Sequence, residues 1–306
     1  MDKSITICDD HSTAESDEQL SDLDRLIDDA RQIGCEPALR KHDHNVGYLT
    51  DEKRSAYLDI VDVRDHEDVL EIGASMGQHT RLIAKQCNTL NALEVVAKQA
   101  EFAKLWCEES GADNVKFTVG GASGTLPYPD GAFNVVIMNY VLEWSAGRNT
   151  SGAAEFHQGL LAEIFRVLKP GGRFFLSTKN RYSLKLILGS DDEHLGIRFG
   201  SALPRPLGNA LARRVTRTIP FGYLHSRPAL EKILRSVGFS ELKAFLSFPD
   251  ARRPDVIVPF EHDRLAELGE LDKSAYSKKD QIYLSLPTPL KKQHATSHTF
   301  IAIKGD

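Results

Sequence analysis

The chain has 306 residues, of which 41% are hydrophobic, and its formal net charge is −5. This length suits one large α/β domain with insertions or two small domains. Residues 1–30 hold ten acids against two bases, which leaves about +3 for the rest of the chain, so general nucleic-acid binding is not favoured.

The cysteines and the N-terminus indicate the compartment. Cys8, Cys35, Cys87 and Cys107 show neither a CxxC pair nor a metal-ligand spacing, so we expect no metal site. No apolar run reaches 18 residues, and MDKSITICDD lacks the basic start and apolar core of a signal peptide. We therefore expect a reduced, cytoplasmic protein without a transmembrane segment.

Two N-terminal segments precede the first predicted strand. Residues 1–18 are acidic and poor in large apolar groups, which predicts a disordered tail. Residues 19–64 are predicted to form a helical cap. In it, Leu20, Leu23 and Ile27 share one helix face that ends near Gly34, and a second helix is expected after Thr50.

The stretch VLEIGASMG, residues 69–77, predicts a strand, a tight turn and a helix that starts at about Gln78. Glycines let the backbone turn sharply and let a ligand approach the main chain, so we expect a nucleotide-like ligand here. A dinucleotide fingerprint needs a small residue where Gln78 stands, which makes a dehydrogenase less favoured. If Ser75 has positive φ, its Cβ costs about 1 to 2 kcal/mol.

Strands and helices alternate after this turn, which predicts a parallel sheet buried on both faces. The predicted strands are 90–96, 115–120, 133–140 and 173–179, with helices at about 98–110 and 153–168. A helix at 227–239 and strands at 242–248 and 298–304 follow. We expect these last two strands to form an antiparallel hairpin at one edge, with insertions at about 180–225 and 249–295.

Glu94 lies seventeen residues after Gly77, at the predicted end of the second strand. A carboxylate at this place can accept hydrogen bonds from both hydroxyls of a ribose. The alternative is a solvated acid at the end of a strand.

Several motifs in this order resemble the class I methyltransferases that use S-adenosylmethionine. The run VLEIGASMG is similar to their (V/L)LE(I/L)GxGxG motif, LPYPDGAFNVVIMNYVLEW to LPFPDxSFDVVxxxxVLEH, and RVLKPGGRFFLSTKNRYSL to RVLKPGGxLxLSTPNRxSL. The resemblance implies a Rossmann-like α/β fold over residues 65–306, with seven strands and an antiparallel last strand. It also implies S-adenosyl-L-methionine as cofactor.

By this resemblance the cofactor is held by residues from four segments. The methionine part would lie near Glu71, Gly73, Ser75 and Gly77; the ribose near Glu94 and Val95; the adenine near Ala122 and Ser123; and the sulfonium near Asn139 and Tyr140. Two positions depart from the family pattern. Gly121, Ala122 and Ser123 stand where many members have an Asp for the adenine, and Trp144 stands where His is common.

Transfer to a hydroxyl requires removal of its proton, and His is the most frequent general base. The candidates are His194 and His225, whereas His157 lies in a predicted helix and is expected to be structural. His194 lies in DDEHLGIRFGSALP, which resembles the HTxLPFxxxLP segment of methyltransferases near bacterial polysaccharide genes.

Residues 194–230 contain six arginines and no acid. One interpretation is a solvated basic helix face. The other is a basic lid that selects an anionic acceptor, with Arg198 and Arg205 binding its phosphate or carboxylate.

The predicted function is therefore methyl transfer from S-adenosylmethionine, directed to oxygen, onto a glycan precursor or a related small metabolite. One alternative is a quinone-pathway or lipid-phenol O-methyltransferase. Another, motivated by Ser75 and the missing adenine Asp, is an inactive partner subunit that binds the cofactor. The sequence leaves the acceptor and the oligomeric state open.

Overall fold

The computed structural model describes residues 4–10, 16–147, 152–217 and 220–306. The chain divides into two compact units. The first contains residues 1–138, 163–174 and 304–306, and the second contains residues 139–162 and 175–303. Among the described residues, no helix combines the length and the apolar character needed to cross a bilayer.

The first unit opens with a short strand and a set of helices. These are β1 (Thr6–Ile7), α1 (Asp17–Ile33), α2 (Cys35–Lys41), α3 (Val46–Leu49) and α4 (Leu58–Val61). Ser16 and Gln19 form a capping box that starts α1, and Gly34 ends it with φ of +90°. Two of the three residues predicted to share a face of α1 pack inward: Ile27 is buried in a cluster with Phe102 and Trp106, and Leu23 packs against that cluster.

The sheet of the first unit follows the predicted alternation. Its further elements are β2 (Asp68–Ile72), α5 (Thr80–Ile83), β3 (Thr89–Glu94), α6 (Ala97–Glu109), β4 (Val115–Val119), β5 (Phe133–Asn139) and the start of β6 (Leu168–Lys179). The strand order is β1-β4-β3-β2-β5-β6. Pairing is parallel between β1 and β4, β4 and β3, β3 and β2, and β2 and β5. Most residues of β2, β3 and β5 are buried, as expected for a sheet covered on both faces.

The second unit contains the remaining elements. They are α7 (Leu142–Ser145), α8 (Ala153–Val167, which ends in the first unit), α9 (Leu184–Ile187), α10 (Arg205–Thr216), α11 (Arg227–Ser236), β7 (Phe239–Phe248), β8 (Val256–Pro259), α12 (His262–Glu267), α13 (Lys278–Leu284), α14 (Thr288–His294) and β9 (Ser297–Lys304). The strand order is β6-β9-β7-β8, and β7 and β8 pair antiparallel.

The edge of this second part differs from the expectation. The last strand, β9, lies between β6 and β7 rather than at the edge, and the outermost strand is β8, which the sequence analysis did not predict. The stretch 249–295 also has a core of its own, because Leu265, Leu268, Tyr283 and Leu284 are buried together. Short apolar pieces between prolines concealed this packing.

The N-terminal expectations need two corrections. The structure describes residues 4–10 and 16–18 of the tail predicted to be disordered, and these include β1 and the start of α1, whereas residues 1–3 and 11–15 lie outside the described part. The helix expected after Thr50 is a 3₁₀ turn, Glu52–Ser55, capped by Asp51 and followed by α4. A polar N-cap one residue later and a left-handed Asp62 (φ +55°) account for the shorter helices.

Candidate functional site

The turn after β2 has the backbone that the sequence predicted. Gly73, Ser75 and Gly77 have φ of +79°, +49° and +84°, so Ser75 does adopt the left-handed conformation despite its Cβ. A Cβ on Gly77 would lie 2.9 Å from the Cα of Ala103, which shows that α6 packs directly against the turn. The following helix, α5, begins at Thr80 rather than at Gln78.

Glu94 ends β3, and the parallel register that pairs Ile72 with Leu93 places it beside this turn. The N–H of Ser75 donates to Glu94 Oε2 (2.7 Å), and the N–H groups of Val95 and Val96 donate to Oε1 (2.9 and 3.1 Å). The carboxylate therefore joins two loops through charge-assisted hydrogen bonds. The ribose contact predicted for Glu94 stays a prediction.

Glu71 is buried below the turn. Its Oε2 accepts a hydrogen bond from the Thr80 hydroxyl (2.6 Å). Burial raises the pKa of Glu71 to about 8, so this carboxyl is protonated at neutral pH. Its predicted place beside the methionine part of a cofactor stays a prediction, and the structure adds a supporting role for the start of α5.

The loop after β4 contains an acid that sequence reasoning missed. Asp10 follows β1, and its carboxylate accepts hydrogen bonds from Ser123 N (2.8 Å) and Ser123 Oγ (2.7 Å). The N–H of Ala122 donates to the Asp10 carbonyl (3.3 Å). The N-terminal segment thus brings a carboxylate to the loop that lacks the family Asp. The only sequence signal was the apolar ITI run inside the acidic tail.

In the second unit, Asn139 and Tyr140 directly follow the buried part of β5. Asn139 Oδ1 is buried and has no hydrogen-bond partner within the described residues. Tyr140 has φ of +58°, and its hydroxyl donates to Asp250 (3.0 Å). Such strain in a non-glycine residue is typical of functional sites, and the cofactor role predicted for Asn139 and Tyr140 stays a prediction.

Glu143 was not among the predicted site residues, although it is fully buried. Its Oε2 accepts from the Thr178 hydroxyl (2.7 Å), while Oε1 has no partner within the described residues. Burial raises the pKa of Glu143 to about 7. An acid inside the apolar run YVLEW was the signal, but only the fold shows that it is buried.

His194 is 5% exposed and lies on Trp144, with ring centroids 4.1 Å apart. Its Nδ1 is 3.2 Å from the Phe221 carbonyl, which can only accept, so Nδ1 carries the proton. Nε2 therefore keeps a free lone pair and has no partner among the described residues. Burial and the Lys179 charge lower the pKa of His194 to about 4, so the ring is neutral at pH 7.

His225, the other candidate base, forms a buried pair with His157. His157 Nδ1 and His225 Nε2 are 2.8 Å apart, and burial lowers the pKa values to about 3 and about 4. One ring nitrogen of His225 is therefore already engaged. The structural role predicted for His157 agrees with its complete burial.

A cleft of about 510 Å³ lies in the second unit, and its walls come from α8, α11 and the segment between β6 and α11. Its charged lining residues are all cations: Arg181, Arg205 and Lys232. Arg205 stacks on Tyr223, with its guanidinium carbon 3.6 Å from the ring centroid, and donates to the Leu224 carbonyl. The cleft is therefore positively charged.

Of the two arginines predicted to bind the acceptor, the structure brings only Arg205 to the cleft. The side chain of Arg198 is 68% exposed and pairs with Asp191 (2.9 Å). His194 and Arg205 also line a second, smaller cleft, so they share one region of the second unit. The N–H of Tyr223 donates to the Glu143 carbonyl (2.7 Å), which connects the cleft wall to the segment after β5.

Comparison with known proteins gives matches in the region of these motifs. Residues 70–176 match a family described as "Methyltransferase domain". Demethylmenaquinone methyltransferase of Tropheryma whipplei (strain Twist) is 31% identical over 120 residues, which are 39% of this chain and 45% of that protein. Sterol 24-C-methyltransferase of Pneumocystis carinii (strain B80) is 27% identical over 176 residues, 54% of this chain and 42% of that protein. The chain thus spans less than half the length of these relatives.

Among solved structures, phosphoethanolamine N-methyltransferase 2 of Haemonchus contortus, in complex with S-adenosyl-L-methionine, aligns with a TM-score of 0.50. The identity is 14%, and the alignment covers 92% of this chain and 60% of that chain. At this identity the likeness shows the fold alone. It confirms the predicted α/β architecture with a mostly parallel sheet.

Proposed function

We propose that this protein is a class I S-adenosylmethionine-dependent methyltransferase that methylates an oxygen of an anionic small molecule, since its residues 70–176 match a family described as "Methyltransferase domain". The acceptor class that fits best is a glycan precursor such as a sugar phosphate, a nucleotide sugar or a uronic acid. The observation that carries this proposal is the cleft whose described lining contains Arg181, Arg205 and Lys232 and no acid.

The residues of the first unit fit the cofactor. The left-handed turn at residues 73–77 leaves its backbone open to close approach, and the Glu94 carboxylate can accept a hydroxyl of the ribose. When bound, S-adenosylmethionine supplies an electrophilic methyl group on a sulfonium. Asp10, held on Ser123, is in addition proposed to accept a hydrogen bond from the adenine amino group.

The cleft residues suit an acceptor with a phosphate or carboxylate. A guanidinium presents paired N–H donors that match two oxygens of such a group, and an ammonium adds a compact charge. Arg181 and Arg205 each donate one hydrogen bond to a backbone carbonyl. These bonds restrain the two guanidinium groups before the acceptor binds. Less conformational freedom is then lost on binding.

His194 is proposed as the group that accepts the proton of the acceptor hydroxyl. The unprotonated Nε2 is available at neutral pH, because Nδ1–H is held by the Phe221 carbonyl. A pKa of about 4 makes this ring a weak base in the free protein. An anionic acceptor bound nearby would raise that pKa, since an opposite charge favours the protonated ring.

A second candidate is methyl transfer to a quinone or a lipid phenol. It is supported by two relatives named demethylmenaquinone methyltransferase, from Tropheryma whipplei and from Lactococcus lactis. An uncharged ring would make no use of the cationic cleft, which is why we place this candidate second.

The proposal is tested first by calorimetry with S-adenosylmethionine, S-adenosylhomocysteine and NAD. We expect binding of the first two only, and tight NAD binding without a response to S-adenosylhomocysteine would contradict the cofactor assignment. Labelled cofactor is then incubated with uronic acids, nucleotide sugars and a short-chain demethylmenaquinone. Product from the charged sugars supports the proposal, and product from the quinone alone overturns it. Cofactor binding without any product, unless another protein is added, would favour the inactive partner subunit.

A further inference from the structure

Helix α10 packs in an unusual orientation. Its small residues, Gly208 and Ala212, face the protein, and a Cβ on Gly208 would lie 2.8 Å from the Gly200 carbonyl. Its large apolar residues face outward, because the side chains of Leu207, Leu211 and Val215 are 61%, 43% and 61% exposed. Large side chains normally provide the burial that stabilises a surface helix. In α10 the tight backbone approach at Gly208 instead fixes the apolar row outside.

The three apolar residues are spaced by four and form one stripe along the helix, which we call the α10 stripe. Twelve residues in a helix extend over about 18 Å. Three exposed arginines lie in the same helix or at its C-cap: Arg214 on the same side of the helix as Leu207, Arg213, and the C-cap residue Arg217. Within the described part of the chain none of them pairs with an acid, and residues 194–230 contain no acid at all.

We propose that α10 docks this protein on the surface of an anionic lipid bilayer. The α10 stripe would enter the boundary between head groups and acyl chains, and the guanidinium groups would bind lipid phosphates. An interfacial helix has this pattern of an apolar row beside a basic row. A second copy of the chain would also cover the stripe. It would, however, bring the same arginines together, and like charges oppose that arrangement.

The first experiment is co-sedimentation of the full chain with two kinds of vesicle, phosphatidylcholine alone and phosphatidylcholine mixed with phosphatidylglycerol. We expect binding to the mixed vesicles only, and weaker binding as the salt concentration rises. The double substitution Leu207→Ser, Leu211→Ser should lower the partition coefficient at least about tenfold. Its matched control is Ile282→Ser, Leu290→Ser, which removes apolar side chains that are 48% and 39% exposed on α13 and α14. That control should bind like the unaltered protein.

The basic row is tested by Arg213→Ala, Arg214→Ala, Arg217→Ala. We expect weaker binding to the mixed vesicles and a smaller salt dependence. Arg40→Ala, Arg64→Ala is the control, since these side chains are 66% and 59% exposed elsewhere. Melting temperatures show whether each variant is folded. If Leu207→Ser, Leu211→Ser melts early, the single substitution Leu211→Ser replaces it.

Three outcomes would overturn the proposal. The first is no binding to either kind of vesicle. The second is binding of the Leu207→Ser, Leu211→Ser variant that equals binding of the unaltered protein. The third is a dimer in solution that dissociates in this variant. The last outcome would assign the α10 stripe to a second copy. Vesicle binding needs neither cofactor nor acceptor, so these results do not bear on the proposed methyl transfer.

Discussion

The turn at residues 73–77 and the basic cleft are built in opposite ways. The turn is a backbone feature, whose main contacts come from β2, β3 and α6, neighbouring elements of the chain. The cleft is a side-chain feature, whose lining extends from residue 154 to residue 236. Left-handed φ values and one carboxylate define the first, and three cations from separate segments define the second.

This difference determines what a single substitution can do. At the turn, a side chain acts by supporting the backbone conformation, so a substitution should change cofactor binding and protein stability together. In the cleft, a side chain acts through its charge or its lone pair, so a substitution should change catalytic activity and leave protein stability unchanged. The following predictions, from the largest expected effect to the smallest, test that distinction.

His194→Ala should lower turnover by about 10² to 10⁴, because the free Nε2 is the proposed proton acceptor. The dissociation constant of S-adenosylmethionine should stay unchanged. Steady-state kinetics and calorimetry measure the two quantities. His225→Ala is the comparison, because one nitrogen of His225 is held by His157. Loss of turnover in His225→Ala alone would reverse the assignment of the base.

The contribution of Glu71 to the stability of the apo protein should fall as pH rises from 5 to 8, whereas the buried histidines with lowered pKa values contribute in the opposite direction. The raised pKa of Glu71, about 8, means that the native state keeps a proton that the unfolded state releases above its ordinary value. Each pKa unit is worth about 1.4 kcal/mol, so the contribution of Glu71 is on the order of 3 kcal/mol. Glu71→Gln removes it. Urea unfolding at both pH values should show that Glu71→Gln gains stability relative to the unaltered protein as pH rises, and an identical pH dependence of the two proteins would refute this contribution.

Gly77→Ala should destabilise the protein by about 3 kcal/mol, the sum of left-handed strain and overpacking. The new Cβ would lie 2.9 Å from the Cα of Ala103, which is backbone and cannot move aside. Gly111→Ala is the matched control, because Gly111 has φ of +72° and nothing within 4 Å of its Cβ position. It should cost only about 1 kcal/mol. Equal unfolding free energies would mean that α6 does not pack tightly on the turn.

Glu94→Gln should weaken cofactor binding by about 1.5 to 3 kcal/mol, the range of hydrogen bonds to a charged group. The sequence alone predicts an unchanged melting temperature for the apo variant. The structure changes that expectation, because the carboxylate also accepts from the N–H groups of Ser75, Val95 and Val96. Calorimetry and thermal melting should therefore both respond. If Glu94→Gln binds the cofactor with unchanged affinity and only its melting temperature falls, the role of Glu94 is purely structural.

Lys232→Ala and Arg205→Ala should each raise the Michaelis constant of a charged acceptor at least about tenfold, or about 1.4 kcal/mol. Cofactor affinity should not change. Lys232 is the cleaner probe, since Arg205 also stacks on Tyr223. Arg198→Ala is the control, because Arg198 is exposed and pairs with Asp191. If the Michaelis constant of the acceptor changes neither with salt concentration nor in the two cleft variants, the basic side chains of the cleft do not bind the acceptor.

The sequence by itself determined the α/β class, most of the strands of residues 69–179, and the tight turn after β2, whereas the left-handed conformation of Ser75 came from the structure. It also indicated Glu94 as the acid beside that turn. These features depend on short-range rules: apolar periodicity, glycine conformation, and the right-handed crossover that connects one parallel strand to the next. The family motifs carried the same local information.

The tertiary structure alone decided which distant side chains meet. Asp10 reaches Ser123 because a two-residue strand, too short to give a periodic pattern, pairs with β4. The Nε2 of His194 has no hydrogen-bond partner among the described residues, and Phe221, twenty-seven positions later, holds the other ring nitrogen. Arg205 enters the cleft and Arg198 does not, although both lie in one basic stretch. The composition of such a segment determines its net charge. Its packing against the rest of the chain determines which of its side chains are buried.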